Sequence, residues 1–186
     1  MIVITERDSK ILLFLNEVQV ADTKTIHTLF FPNTSIRNCT KRLKQLVDIK
    51  FIKVYRQDML SQNVYYSKSR PKNLSHKLLF SQLLGELKRQ NVEVIKYKCP
   101  YKISDVIADG IIIIRVNGEV KIYFCEGEIS KRLSTKKYED LYFQRAWKEK
   151  FPLFPSILLI SDKGYTESNV LDIVTCKLDF SNLKLD

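Results

Sequence analysis

The sequence predicts an α/β (α+β) chain in two pieces: a small basic module of three helices and a hairpin, then a larger module with a mixed sheet. Three observations lead there. Apolar residues recur at helical spacing up to about residue 50, apolar strand-like runs dominate after residue 91, and a polar Ser/Pro/basic stretch, SKSRPKNLS at 67–75, separates two patterned regions. That stretch places the division between residues 1–70 and 71–186. Of the net charge of +10, the first 70 residues carry +6, from 12 basic and 6 acidic side chains, so the smaller piece is the more densely charged.

In the first piece, Thr5 caps a helix with Asp8 in its first turn and Ile11, Leu12, Leu15 and Val18 on one face. A second short helix starts at Asp22 or Thr23, carries Ile26, Leu29 and Phe30, and is stopped by Phe31-Pro32-Asn33. The third has Ile36, Cys39, Leu43, Leu46 and Val47 at helical spacing, with a polar, basic opposite face. FIKVY, the polar turn RQDMLSQN and VYYS then read as a β-hairpin. Three helices followed by a hairpin is the order of a winged helix-turn-helix.

The second piece opens with SHKLLFSQLLGELKRQN, a helix capped at Ser75, and continues with the strand VEVIKYKC. After YKISDV come two strands about Asn117-Gly118, a helix from about Leu133 to Lys150, the buried strand SILLIS, a short helix near Glu167 to Leu171, and the strand DIVTCKL. The expected order is αβββαβαβ, with a mixed sheet and helices on its faces.

Bulk properties narrow the function. A hydrophobic content of 45% supports a real core, and a pI near 9.4 makes a polyanion the first partner to consider, nucleic acid ahead of membrane. No apolar run is long enough for a membrane span, and MIVITERDSK has none of the features of a signal peptide, so a cytoplasmic location is expected. Cys39, Cys99, Cys125 and Cys176 are too dispersed for a zinc site and read as buried free thiols. His27 and His76 have no catalytic partner at a recognisable spacing, and no phosphate-binding glycine loop occurs.

In a helix-turn-helix the second helix of the motif presents its first turns to base edges, which makes Thr34, Ser35, Arg37, Asn38, Lys41 and Arg42 the candidates for recognition. Arg can take guanine, and Asn adenine, through paired hydrogen bonds. Lys41, Lys44 and the hairpin residues Lys53, Arg56 and Lys68 are placed to neutralise phosphates, while Tyr65 and Tyr66 pack under the hairpin or stack on DNA. Double-stranded DNA is therefore the expected partner, and its binding needs no cofactor.

A second group of candidates is acidic. A two-residue turn at Asn117-Gly118 pairs Val116 with Glu119, Ile111 with Phe124 and Asp109 with Glu126, and Glu128 points the same way as Glu126 if the strand continues. Opposed like charges are destabilising and need compensation. A divalent cation, a nearby Lys or Arg, or a raised pKa would each supply it.

The αβββαβ order, Ala108-Asp109 at the start of one strand and Glu126-Gly127-Glu128 at the end of the next together resemble a restriction-endonuclease-like PD-(D/E)xK domain. With LFFPNTSIRNCTKRLKQLVDIKFIK in front, nearly the whole chain resembles the replication-relaxation family of plasmids, phages and integrative elements. The resemblance implies a DNA-binding accessory role in replication or conjugative transfer, beside a relaxase or replication initiator. It also implies Asp109, Glu126 and Glu128 as a Mg²⁺ or Mn²⁺ site. Glu128 stands where such nucleases carry a lysine, so catalysis would fall to Asp109, Glu126 and Glu128 with Lys131 reaching in, and the domain is expected to be degenerate. Gln144 and Arg145, on the helix that follows, could assist the site whether or not it is active; the alternatives are a metal-dependent endonuclease and a transcriptional regulator that dimerises through its C-terminal domain.

Overall fold

The computed structural model describes residues 2–56, 58 and 61–185, and within them the chain is a mixed α+β protein with five α-helices. It divides into two compact units, the first ending at Asn91 and the second beginning at Val92.

The first unit contains α1 (Glu6–Val18), β1 (Ala21–Asp22), α2 (Thr23–Phe30), α3 (Ile36–Asp48), β2 (Lys53–Tyr55), β3 (Val64–Tyr66) and α4 (Leu74–Arg89). Thr5 and Asp8 form a reciprocal capping box at the start of α1, satisfying donors that the first turn leaves open. Asp22 caps α2 and Ser35 caps α3. Ile11, Leu15 and Val18 of α1 are buried, as are Ile26 of α2 and Cys39, Leu43 and Leu46 of α3. β3 lies between β1 and β2 in an antiparallel sheet, with Tyr65 opposite both Ala21 and Val54. The brief β1 escapes sequence reading because two residues show no period. Part of the expected hairpin turn, at Gln57, Met59 and Leu60, lies outside the described residues.

The buried Asp8 carboxylate ties α1 to α3. It takes Nε of Arg42 at 3.1 Å and Nη2 at 2.5 Å, while the same guanidinium donates to the Val3 carbonyl (2.7 Å) and the Gln45 side chain (3.1 Å). Burial raises the Asp8 pKa, but hydrogen bonds from Arg42 and Thr5 more than offset this and hold it below its ordinary value.

The division does not fall in the polar 67–75 stretch. Helix α4 belongs to the first unit: Gln82 donates to the buried Asp22 at 2.7 Å, and a Cβ on Gly85 would lie 3.4 Å from the Thr25 methyl of α2. A loop of boundary-like composition simply leads into a helix whose apolar side packs backward. The helix also begins at Leu74 after Asn73, not after a Ser75 cap.

The second unit runs β4 (Glu93–Lys98), β5 (Tyr101–Ile103), β6 (Val106–Ala108), β7 (Gly110–Val116), β8 (Glu119–Glu128), α5 (Lys136–Gln144), a 3₁₀ turn at Ala146–Glu149, β9 (Ser156–Ser161) and β10 (Ile173–Cys176). Its five-stranded sheet has the order β10-β9-β8-β7-β4, parallel among β8, β9 and β10 and antiparallel elsewhere. Strands β5 and β6, expected only as a connection, pair as a separate small hairpin. Asn117 and Gly118 have φ of 51° and 85°, as a tight hairpin turn requires. The ladder follows the expected register from Val116↔Glu119 to Gly110↔Cys125.

One face of this sheet, with Ile111, Phe124, Ile157 and Leu159, packs with Tyr138 and Leu141 of α5 and with Trp147 and Phe151. The single helix expected over 133–150 is broken by Arg145, whose left-handed conformation (φ 59°) ends α5. No helix forms at Glu167–Leu171 either. Five residues cannot offset the cost of nucleation, and the preceding backbone is already engaged: Leu133 N–H donates to Gly164 and Thr166 N–H donates to Leu133.

We predict that Asp8→Ala destabilises the protein by about 3 kcal/mol, because it strands Arg42 and the α1 cap. Urea denaturation with helix CD as the readout checks this. Since the folded Asp8 pKa is lowered, its contribution is complete above the ordinary carboxylate value of about 4 and is lost as pH falls through the lowered one. The cost of Asp8→Ala therefore shrinks under acid conditions.

Candidate functional site

Two places answer to the functional residues expected from sequence, and they lie in different units. The first is α3. Because Cys39, Leu43 and Leu46 turn inward, helical periodicity leaves Arg37, Asn38, Lys41 and Lys44 exposed. With Ile36 and Thr40 they line one shallow surface hollow. Among the described residues, no ion pair engages Arg37, Lys41 or Lys44.

The other basic-face candidates have local duties. Arg42 is committed to Asp8, Val3 and Gln45, so its guanidinium is a brace between helices and not a free recognition group. Ser35 caps α3 by accepting the Asn38 N–H (3.3 Å), and Thr34 bonds back to Phe31 while its carbonyl meets His27 Nε2 at 2.7 Å. That last bond gives His27 a structural role at the α2–α3 turn. On the hairpin, Lys53 Nζ donates to the Lys68 carbonyl (2.6 Å) and Arg56 Nε to that of Ser61 (2.8 Å). The Lys68 side chain is exposed, and Tyr65 is buried. All four cysteines are buried free thiols, and burial pushes the Cys39 thiol up to about 12 against the opposing field of Arg7.

The second place is the end of β8. Alternation puts Glu126 on the same face as Phe124, beneath α5, where it is only 5% exposed. Its Oε1 accepts from Lys137 Nζ at 2.6 Å and from the Tyr138 hydroxyl. Lys137 also donates to the Ile107 carbonyl at 3.3 Å, and the Tyr138 ring stacks on Phe124 with centroids 5.4 Å apart. Burial raises the Glu126 pKa, Lys137 and Tyr138 oppose that rise, and Asp109 adds to it; the net shift is upward. Burial and the Glu126 charge likewise push the Tyr138 phenol up.

Asp109 sits at a bend just before β7, and its Oδ2 accepts the Gly127 N–H at 2.9 Å. It is thus fastened to the β8 backbone beside Glu126. Glu128 is 9% exposed and stands opposite Ser161 of β9. Lys131 is exposed and, among the described residues, makes no ion pair, so the ammonium that meets the acids comes from Lys137. Gln144 and Arg145 are exposed at the far end of α5.

Of the three forms of compensation the register demands, two are present: a lysine and a raised pKa. One oxygen of Glu126 already holds two donors, Asp109 holds a backbone amide, and among the described residues no group of three or more His, Cys, Asp or Glu side chains could hold a metal ion. Lys137 and Tyr138 were not singled out from sequence. The available signal was KKY at 136–138, at the start of the helix that follows β8, but its phase relative to β8 depends on how α5 docks.

Because the folded Glu126 pKa is raised, its contribution to stability is complete below the ordinary Glu value of about 4.3 and declines as pH rises from there through the raised one. Glu126→Gln should remove that decline in a pH series of denaturation midpoints. Lys137→Ala should cost about 2 kcal/mol at neutral pH, where it leaves a buried carboxylate without its cation, and markedly less near pH 4.

No helix among the described residues is long and apolar enough to cross a membrane. No family model matches the chain, and no curated protein matches it.

Proposed function

We propose that the chain binds duplex DNA through α3 and serves, in the cytoplasm, as an accessory factor for replication or conjugative transfer of a mobile genetic element, helping to recruit a relaxase or replication protein. The observation that carries the DNA-binding reading is the set Arg37, Asn38, Lys41 and Lys44: exposed, on one face of one helix, its cations unpaired among the described residues. Such a face has the donors for base edges and the charge for phosphates. A net charge of +10 adds long-range attraction.

On this reading the first unit is a winged helix-turn-helix, with α2 and α3 as the helix pair and β2 with β3 as the wing. The β1-β3-β2 sheet supports it. The second unit is a nuclease-like αβββαβ domain that has lost catalysis, a reading supported by the antiparallel β4-β7-β8 strands and the α5 crossover to parallel β9. The role in replication or transfer rests on the sequence resemblance.

Lys137 favours a second reading, a metal-dependent endonuclease, because it brings to Glu126 a positive charge that Glu128 cannot supply. That reading needs Glu126 released from its present partners; the DNA-binding reading needs no change at the site.

In a duplex-binding titration at about 0.15 M salt, we expect Arg37→Ala and Lys41→Ala each to weaken affinity about fivefold or more. Unchanged affinity in both would remove α3 as the recognition face. Supercoiled plasmid incubated with Mg²⁺ or Mn²⁺ should stay uncut. Cutting that disappears in Asp109→Ala and Glu126→Ala would establish the endonuclease instead.

A further inference from the structure

Arg7 belongs to α1, outside the basic face of α3, and sequence pattern gives it no role. Its guanidinium carbon lies 4.5 Å from the centroid of the Phe31 ring. The side chain lines a hollow of about 210 Å³ that it shares with Thr34, Asn38, Asp8 and Arg42. In that hollow Asp8 and Arg42 neutralise one another at 2.5 Å. Arg7 is exposed and, among the described residues, has no ion pair, so its charge remains available. Thr34 and Asn38 bracket the Ser35 cap, which places the hollow at the N-terminal end of α3, where backbone N–H groups add partial positive charge.

A guanidinium resting on an aromatic face is restricted in orientation, so less freedom is lost when its planar fork engages a phosphate. We infer that Arg7 holds a backbone phosphate of the duplex, flanking the bases that α3 faces; this rests on the DNA-binding reading above. Phosphate contacts set the register of a recognition helix without reading sequence. Arg7 would therefore fix the position of the N-terminal end of α3 along the groove while Arg37 and Asn38 read it.

The test is the salt dependence of binding between the full chain and a mixed-sequence duplex. One phosphate contact contributes about 0.9 to the slope of log K against log [salt], equivalent to about fivefold in affinity at 0.15 M salt. Arg7→Ala should lose both, and Arg7→Lys should keep the slope. Lys10→Ala is the control: it removes the same charge from the same helix, but Lys10 is already paired with Glu6 at 2.7 Å, so its slope should match the wild type. If Arg7→Ala matches Lys10→Ala while Arg37→Ala still weakens binding, the inference about Arg7 is wrong and the DNA-binding reading stands. If the wild-type chain shows no salt-dependent binding to the duplex, both fall.

Discussion

The phase of the long hairpin governs the second unit. Asn117 and Gly118 adopt positive φ, which closes the turn in two residues and sets a register that runs unbroken to Gly110↔Cys125. A slip of one residue would exchange the two faces of β8. Phe124 and Glu126 would leave the α5 side, and the stack of Phe124 on Tyr138 and the Lys137–Glu126 pair would be lost together. The same phase carries over to β9, where Ile157 and Leu159 align with Phe124 and Glu126 in the parallel ladder. The packing of α5 is thus set by a turn some twenty residues earlier.

Two of the buried acids, one in each unit, are held in a similar way. Asp8 and Glu126 are each almost fully buried, and each is met by a cation from another element with hydroxyl or amide support. The electrostatic outcomes differ. At Asp8 a two-pronged guanidinium and the capping bonds outweigh burial, and the carboxylate is held acidic. At Glu126 a single ammonium and a phenol do not outweigh burial and the neighbouring Asp109, so the proton is held more tightly.

The basic face of α3 follows from the same economy of contacts. Arg42 is drawn out of the row of cations by Asp8, whereas Arg37, Lys41 and Lys44 form no ion pair among the described residues and stand exposed at the surface. Recognition chemistry is thereby separated from structural pairing within one helix. Arg7 is a counterpart from α1: it lies beside the Asp8–Arg42 pair yet outside it, steadied by Phe31.

Local chemistry was legible in the sequence. The Thr5–Asp8 cap, the amphipathic α3, the Asn117-Gly118 turn and the register that runs from it to Gly110↔Cys125 all depend on residues close along the chain or on a fixed period. Tertiary structure decided what depends on docking. Helix α4 follows a boundary-like loop yet packs against α2; Arg42 belongs to the basic stripe by spacing yet pairs with an acid 34 residues away; Lys131 is nearer to Glu126 in sequence, yet Lys137 makes the contact. Spacing fixes which face of an element a side chain occupies, but not which element will cover that face. Burial of the covered charge then selects its partner, because an unpaired carboxylate in the core is too costly to keep.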